Sequence, residues 1–271
     1  MEQLDQLCDL QVLVAPVELA PEDVGYDDPA TLLAGRLQAQ EAALGSEVLR
    51  SLNDLRMHAV CDLRMVQDQD GAPSALCLAC INEAASGRFA ELTELAHSRP
   101  ELAFQLALLH LELAVETLAR EVDRDSALAV IDLHFSVLGH RRLAERYLER
   151  CRALPPKIVR ALVVNLLGVP SGAYAPKFAR VTGALQELFR LRALTVHDPR
   201  TELVDLDLAR IGLVIVDFRD LMPLFEERSD VIQALVRRVH RSQTRLLVRR
   251  VPRGLASELR ERLAVDLTSS A

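Results

Sequence analysis

Short apolar runs recur along the second half of the chain, each followed by a stretch with apolar residues at helical spacing. The runs are VIDLHFS (Val130–Ser136), RALVVNLLGV (Arg160–Val169), LRALTVH (Leu191–His197), IGLVIVD (Ile211–Asp217), TRLLVRRV (Thr244–Val251) and AVDL (Ala264–Leu267). They are rich in Val, Ile and Leu and too short for helices, which is how strands buried on both faces read. Between them HRRLAERYLERCRAL, YAPKFARVTGALQELFR, ERSDVIQALVRRVHR and GLASELRERL carry the helical period. Strand and helix alternating at this rhythm predict parallel strands joined by right-handed crossovers, an α/β domain from Ala127 to Leu267.

The first half has a different texture. MHAVCDLRMV and SALCLACI flank a DQDGAP turn, which predicts a hairpin. After Gly87 the apolar spacing predicts one or two long helices, with Pro100 in the first turn of the second. Upstream, PATLLAGRLQAQEAALGSEVLRSL reads as a helix. Residues Met1–Gly35 contain no Lys or Arg, whereas Glu2, Asp5, Asp9, Glu18, Glu22, Asp23, Asp27 and Asp28 supply acid. They predict an acidic extension, containing a strand in LQVLVAPVEL, that solvates itself, docks a partner or folds back on the basic end of the chain. Three early strands at most, plus six later ones, approach the eight of a (β/α)8 barrel, complete or short of a strand. A doubly wound open sheet is the alternative. The expected division is an extension and helix in residues 1–50 and the barrel in 51–271.

Half of the 271 residues are hydrophobic and none is Trp, so the core must be built from Leu, Val, Ile and Ala. No apolar run reaches the roughly 18 residues of a membrane span. Five cysteines, an odd number without framework spacing, point to reduced thiols in a cytoplasm. The net charge of −7 argues against a general nucleic-acid binder. The seven arginines at 237, 238, 241, 245, 249, 250 and 253 lack interleaved aromatics for base stacking.

Common catalytic signatures for phosphate, zinc and serine chemistry are absent. Cys77-x-x-Cys80 lacks the second ligand pair that structural zinc requires. In parallel α/β folds, ligands bind beyond the carboxyl ends of the strands. The polar residues there are His134, Asn165, His197, Asp198, Asp217, Arg249 and Arg250, which form the candidate ligand-binding set.

The order of these strand ends resembles the EAL-type cyclic-di-GMP phosphodiesterase domain, a (β/α)8 barrel. IDLHFSVL is similar to the family's v-N-l-S-x-x-x-L, and RALVVNLLGV to its l-v-l-E-l-T-E. LTVHDPRTELVDLDLARIGLVIVDF is similar to its D-D-F-G segment and K-I-D strand. The closing VRRVHRSQTRLLVRRVPRGLASELRERLAVDL resembles v-I-A-E-G-V-E followed by G-V-D. The resemblance implies strand-end carboxylates and an Asn holding two divalent cations, assisted by a Lys and a Glu. At those positions this chain has His134 for the Asn, Asn165 for a Glu, His197-Asp198 for the paired aspartates, Ile215 for the Lys and Arg249 for the late Glu. Glu83-Ala84-Ala85 is a remnant of the signature tripeptide.

These departures imply a degenerate relative with no enzymatic activity, no metal and no cofactor. It would act in the bacterial cytoplasm as a regulator or scaffold through a protein partner. The alternative is a sensor that binds cyclic di-GMP or a related nucleotide without hydrolysis.

Overall fold

The computed structural model describes residues 45–270, apart from 121–126, 171–174, 204–205, 207–209, 226–227 and 253. The acidic extension, its expected strand and most of the first expected helix lie outside the described residues, as does Arg253. Eight strands close into a barrel in chain order, which settles barrel against open sheet.

The hairpin is present: β1 (Cys61–Gln67) pairs antiparallel with β2 (Pro73–Ile81). Its turn is made by Asp68, whose Oδ1 accepts from the Asp70 and Ala72 amides at 3.0 and 2.9 Å. Gly71 supplies the positive φ of 80° that this turn needs. The parallel strands are β3 (Leu128–His134), β4 (Leu162–Leu167), β5 (Leu191–Val196), β6 (Leu213–Asp217), β7 (Arg245–Val251) and β8 (Leu267–Ser270).

The last strand begins where the sequence reading ended it. The helix before it runs to Leu263 and closes on a left-handed Ala264, so AVDL leads into β8 rather than forming it.

Ten helices accompany the strands among the described residues: α1 (Ser46–His58), α2 (Glu83–Ala96), α3 (Pro100–Arg120), α4 (Phe135–Gly139), α5 (Arg141–Ala153), α6 (Pro156–Ala161), α7 (Ala175–Leu188), α8 (Phe218–Phe225), α9 (Ser229–Arg241) and α10 (Ala256–Leu263). Helix α1 runs across the expected boundary at residue 50 and buries Leu52 and Leu55 in the main core.

Alternation along the strands divides the apolar residues into two cores. One face packs against the helices: Ala129, Ile131 and Leu133 of β3 and Val164 and Leu166 of β4, for example, join Phe104, Tyr147 and Phe178. The other face fills the barrel with Val66, Leu76, Leu78, Val130, Val163, Ala193, Leu213, Ile215, Leu247 and Leu267. Aliphatic side chains form this inner core, as the aromatic-poor composition requires.

Helix α3 spans 21 residues and is long and apolar enough by length and composition to cross a membrane, although Glu101, Gln105, His110, Glu112 and Glu116 interrupt its apolar run. In the fold, 72% of its most apolar stretch is buried within the protein. At its centre, His110 is buried and joins two strands. The Asp132 amide of β3 donates to His110 Nδ1 at 3.0 Å, and His110 Nε2 bonds the Ala79 carbonyl of β2 at 2.9 Å. An acceptor at Nδ1 requires the neutral ring to carry its proton on Nε2. The direct β2–β3 ladder ends at Leu78↔Val130, so the imidazole bridges the strands where they separate.

The opposite seam is thinner. Strands β1 and β8 share one ladder pair, Gln67↔Thr268, reinforced by Arg260 Nη1, which donates to Thr268 Oγ1 at 3.1 Å and Gln67 Oε1 at 3.4 Å.

A His110→Leu variant keeps the volume and strips both bonds, leaving the half-buried Asp132 N–H and the buried Ala79 C=O without the imidazole. The expected loss is about 2–4 kcal/mol, from roughly 1–3 kcal/mol per group. Urea unfolding with an unchanged slope would show it, and a loss below about 0.5 kcal/mol would mean that the bridge contributes nothing.

Candidate functional site at the barrel mouth

The alternation that places Val130, Val163, Ala193, Ile215 and Leu247 inside the barrel also sets what lies above them. Two residues further along the parallel strands come Asp132, Asn165, Thr195, Asp217 and Arg249, at the carboxyl end. Asn165, Thr195 and Asp217 are buried, while Asp132 and Arg249 are half-buried. Cys80 of β2 borders the same layer. Burial pushes its thiol pKa up; Arg64, Arg249 and Arg250 oppose that rise and Asp132 adds to it, which places these charges around it.

The layer has two hydrogen-bonded groups. Asn165 Nδ2 donates to Asp132 Oδ1 at 2.6 Å and to Thr195 Oγ1 at 2.8 Å, and the Thr195 hydroxyl donates to Asn165 Oδ1 at 3.0 Å. The second group surrounds Asp217, whose side chain is only 3% exposed. Oδ2 accepts from Arg249 Nε at 3.3 Å and from Arg250 Nη2, while Oδ1 accepts from the Arg219 amide at 3.0 Å and Arg219 Nε at 3.4 Å. Arg250 adopts a left-handed backbone (φ 59°) where the β7–β8 register shifts, so a bulge turns adjacent arginines toward one carboxylate.

The seven expected residues do not form one site. Asn165, Asp217, Arg249 and Arg250 lie in or beside the interior layer. His197 and Asp198 are exposed beyond β5. Asp198 closes a turn by accepting from the Arg200 amide at 2.9 Å, and His197 Nδ1 lies 3.2 Å from Asp220 Oδ2 of α8.

His134 caps α4, with Nδ1 accepting from the Ser136 amide at 3.2 Å and lying 2.7 Å from the Ser136 hydroxyl. Its ring meets that of His97 edge to face at 4.7 Å, and its Nε2 is buried without a hydrogen-bond partner. A Cβ on Gly168 would stand 2.3 Å from that nitrogen, so glycine makes room for the ring. Asp132, rather than His134, shares the interior layer with Asn165.

The sequence reading also passed over Thr195, Arg64, Arg219 and Asp220. Counting two positions beyond each interior aliphatic residue finds Asp132 and Thr195. Asp220 could be found only by knowing that a helix begins at Phe218.

Other sequence candidates disperse. Cys77 and Cys80, three apart on β2, lie on opposite faces of the strand. Arg237, Arg238 and Arg241 are on α9, whereas Arg245 and the pair Arg249–Arg250 sit at opposite ends of β7. Glu83-Ala84-Ala85 opens α2 just after β2.

No family model matches the sequence, and no curated protein matches it significantly. Solved structures do match. An EAL domain protein from Listeria monocytogenes EGD-e aligns over 83% of this chain and 90% of its own, with 12% identity and a TM-score of 0.60. The chain has an EAL-type fold. The PaMucR phosphodiesterase, in complex with c-di-GMP, aligns over 78% of this chain and 93% of its own, with 14% identity and a TM-score of 0.59. The S helix-GGDEF-EAL portion of Vibrio cholerae LapD, bound to c-di-GMP, covers 86% of this chain and 56% of its own, with 10% identity and a TM-score of 0.65.

These neighbours overturn one expectation, that this chain is not an enzyme. PaMucR is a phosphodiesterase, and Bd1971, another structure of this fold, is an EAL enzyme.

The two-cation arrangement implied by the resemblance does not fit the residues present. Among the described residues, no three His, Cys, Asp or Glu side chains converge to hold a metal ion. Asp217 is bonded by three guanidinium groups, and Arg249 would oppose a cation beside it.

Two expectations follow from this geometry. Asp217→Ala leaves the arginines without their common acceptor and should cost about 3 kcal/mol, the low end for a broken buried pair because the arginines are partly exposed. A change under about 0.5 kcal/mol in chemical unfolding would show that they relax into solvent.

The second concerns His134, whose pKa burial and the neighbouring His97 lower to about 4. Between the ordinary value near 6.5 and about 4, the unfolded chain takes up a proton that the folded chain refuses. This stability contribution is complete above pH 6.5 and is lost as pH falls toward 4. Unfolding titrations should show a shallower decline over that window for His134→Gln; parallel curves would refute it.

Proposed function

We propose that the chain is a regulatory protein of bacterial cyclic-di-GMP signalling, with the arginine-lined mouth of its EAL-type barrel receiving the dinucleotide's phosphates. The observation that carries this reading is the gathering of Arg249, Arg250 and Arg219 on one buried carboxylate at the ligand-binding end of the fold. With Arg64 and Asp132 nearby, four guanidinium groups face two carboxylates, an excess of positive charge suited to a phosphodiester. The fold neighbours PaMucR and LapD were both solved with c-di-GMP, which supports the choice of ligand. The proposed setting is the cytoplasm, where this dinucleotide would be met.

A scaffold role through a protein partner is the second reading. It is favoured by large apolar side chains left exposed along α1 and β1, namely Met57, Val60 and Met65.

Calorimetric titration with cyclic di-GMP, with and without magnesium, tests the first reading. Saturable binding is expected. Arg250→Ala should weaken it at least about tenfold, since a hydrogen bond to a charged group contributes roughly 1.5–3 kcal/mol. Arg250 is the variant of choice because Asp217 keeps Arg249 and Arg219, and an unchanged melting temperature would separate lost binding from lost fold. No heat of binding would sink the ligand reading and leave the protein-contact role.

A further inference from the structure

A histidine follows the strand next to that of the arginine-bound carboxylate. Thr195 pairs with Ile215 and Val196 with Val216, the last pairs of the β5–β6 ladder, and His197 and Asp217 are the residues that come next on the two chains. On the other side of Asp217 the next ladder partner is Arg249. Three neighbouring strand ends thus present His197, Asp217 and Arg249 in a row. With strands spaced about 4.8 Å, the outer two backbones stand roughly 10 Å apart, close enough for one phosphodiester and a water to lie between the side chains.

The His197 ring is held in one orientation. Asp220, in the first turn of α8 and one helical turn beyond Asp217, offers only acceptor oxygens when ionised, so Nδ1–H donates to Oδ2 across the 3.2 Å contact. This leaves Nε2 with its lone pair outward on a side chain that is 58% exposed at the mouth. A carboxylate on one imidazole nitrogen and an open lone pair on the other is the arrangement of a general base. Asp198 does not compete for the part, because its carboxylate is turned onto the Arg200 amide.

We infer that His197, positioned by Asp220, is the proton acceptor for hydrolysis of a phosphodiester held on Arg249 and Arg250, without a metal ion. In that step His197 Nε2 takes a proton from water while the water oxygen forms a bond to phosphorus. The bond between phosphorus and the leaving ribose oxygen breaks with its electron pair. That oxygen is then protonated by the imidazolium or by solvent, giving a phosphomonoester and a free hydroxyl. The arginines meet the charge that builds on the phosphoryl oxygens. The inference rests on the ligand reading above and adds the chemistry done there.

The experiment follows cleavage of cyclic di-GMP and of bis(4-nitrophenyl) phosphate by the whole chain in excess EDTA, with cyclic di-GMP binding measured on the same samples. Turnover that survives EDTA is expected. His197→Gln should lower kcat about 100-fold, the lower range for a lost general base, with KM unchanged. Asp220→Asn should lower kcat about tenfold, again without a change in KM. His197→Gly should recover turnover when imidazole is added, which a purely structural role would not allow. Binding without EDTA-resistant cleavage, or full activity in His197→Gln, would overturn the inference and leave the ligand reading intact. Absence of binding would remove both.

Discussion

A carboxylate buried to the extent of Asp217 cannot remain ionised in an aliphatic barrel unless cations come to it, and the mouth is shaped by that demand. Three arginines from two pieces of chain answer it. Arg219 arrives from the first turn of α8, Arg249 by strand pairing, and Arg250 through a bulge in β7. The bulge holds a non-glycine residue in the left-handed region, a conformation costing about 1 kcal/mol, and the ion pair at its end offsets that cost. In the resembling family motif, v-I-A-E-G-V-E, the letter at the Arg250 position is Gly. Here that position carries a cation.

Below this polar layer the barrel is an aliphatic plug that transmits position upward. Because side chains alternate strictly, packing Ile215 and Leu247 inside obliges Asp217 and Arg249 to point inside as well. The same rule brings Asn165 under Asp132 and Thr195, where all three satisfy one another. His110 completes the layer from outside, supplying through an imidazole the hydrogen bonds that β2 and β3 no longer exchange directly. Stability and site geometry are therefore the same set of contacts.

The parallel half was legible because strands buried on both faces leave continuous apolar runs: four of the six runs contain the observed strand outright, and a fifth overlaps β3, which begins two residues earlier. The closing run failed since ERLAV continues a helical pattern to Leu263 and only the cap at Ala264 releases the chain. The hairpin was announced by turn chemistry at Asp68 and Gly71. Within the site, Asn165, Asp217, Arg249 and Arg250 could be read from strand ends, but His134, expected at the place of the family's metal-binding Asn, caps α4, and Asp132 two residues earlier is the partner of Asn165. The two differ by one alternation step, and only the observed registers distinguish them. Asp220, Arg219 and Arg64 reach the mouth from a helix and an antiparallel strand, so no rule about parallel strand ends points to them.

The seam between β1 and β8 carries a consequence of its own. A barrel is free of edges only while every pair of neighbours stays joined, and here the junction is one ladder pair and the reach of Arg260. Partial opening has its lowest cost at that line, since every other neighbouring pair shares a longer ladder. Parting it would uncover one flank of β1 and one of β8, converting a closed surface into an open sheet with two unpaired borders. A strand from another chain could then complete the circle, so the place where this barrel closes upon itself is also where it is most open to company.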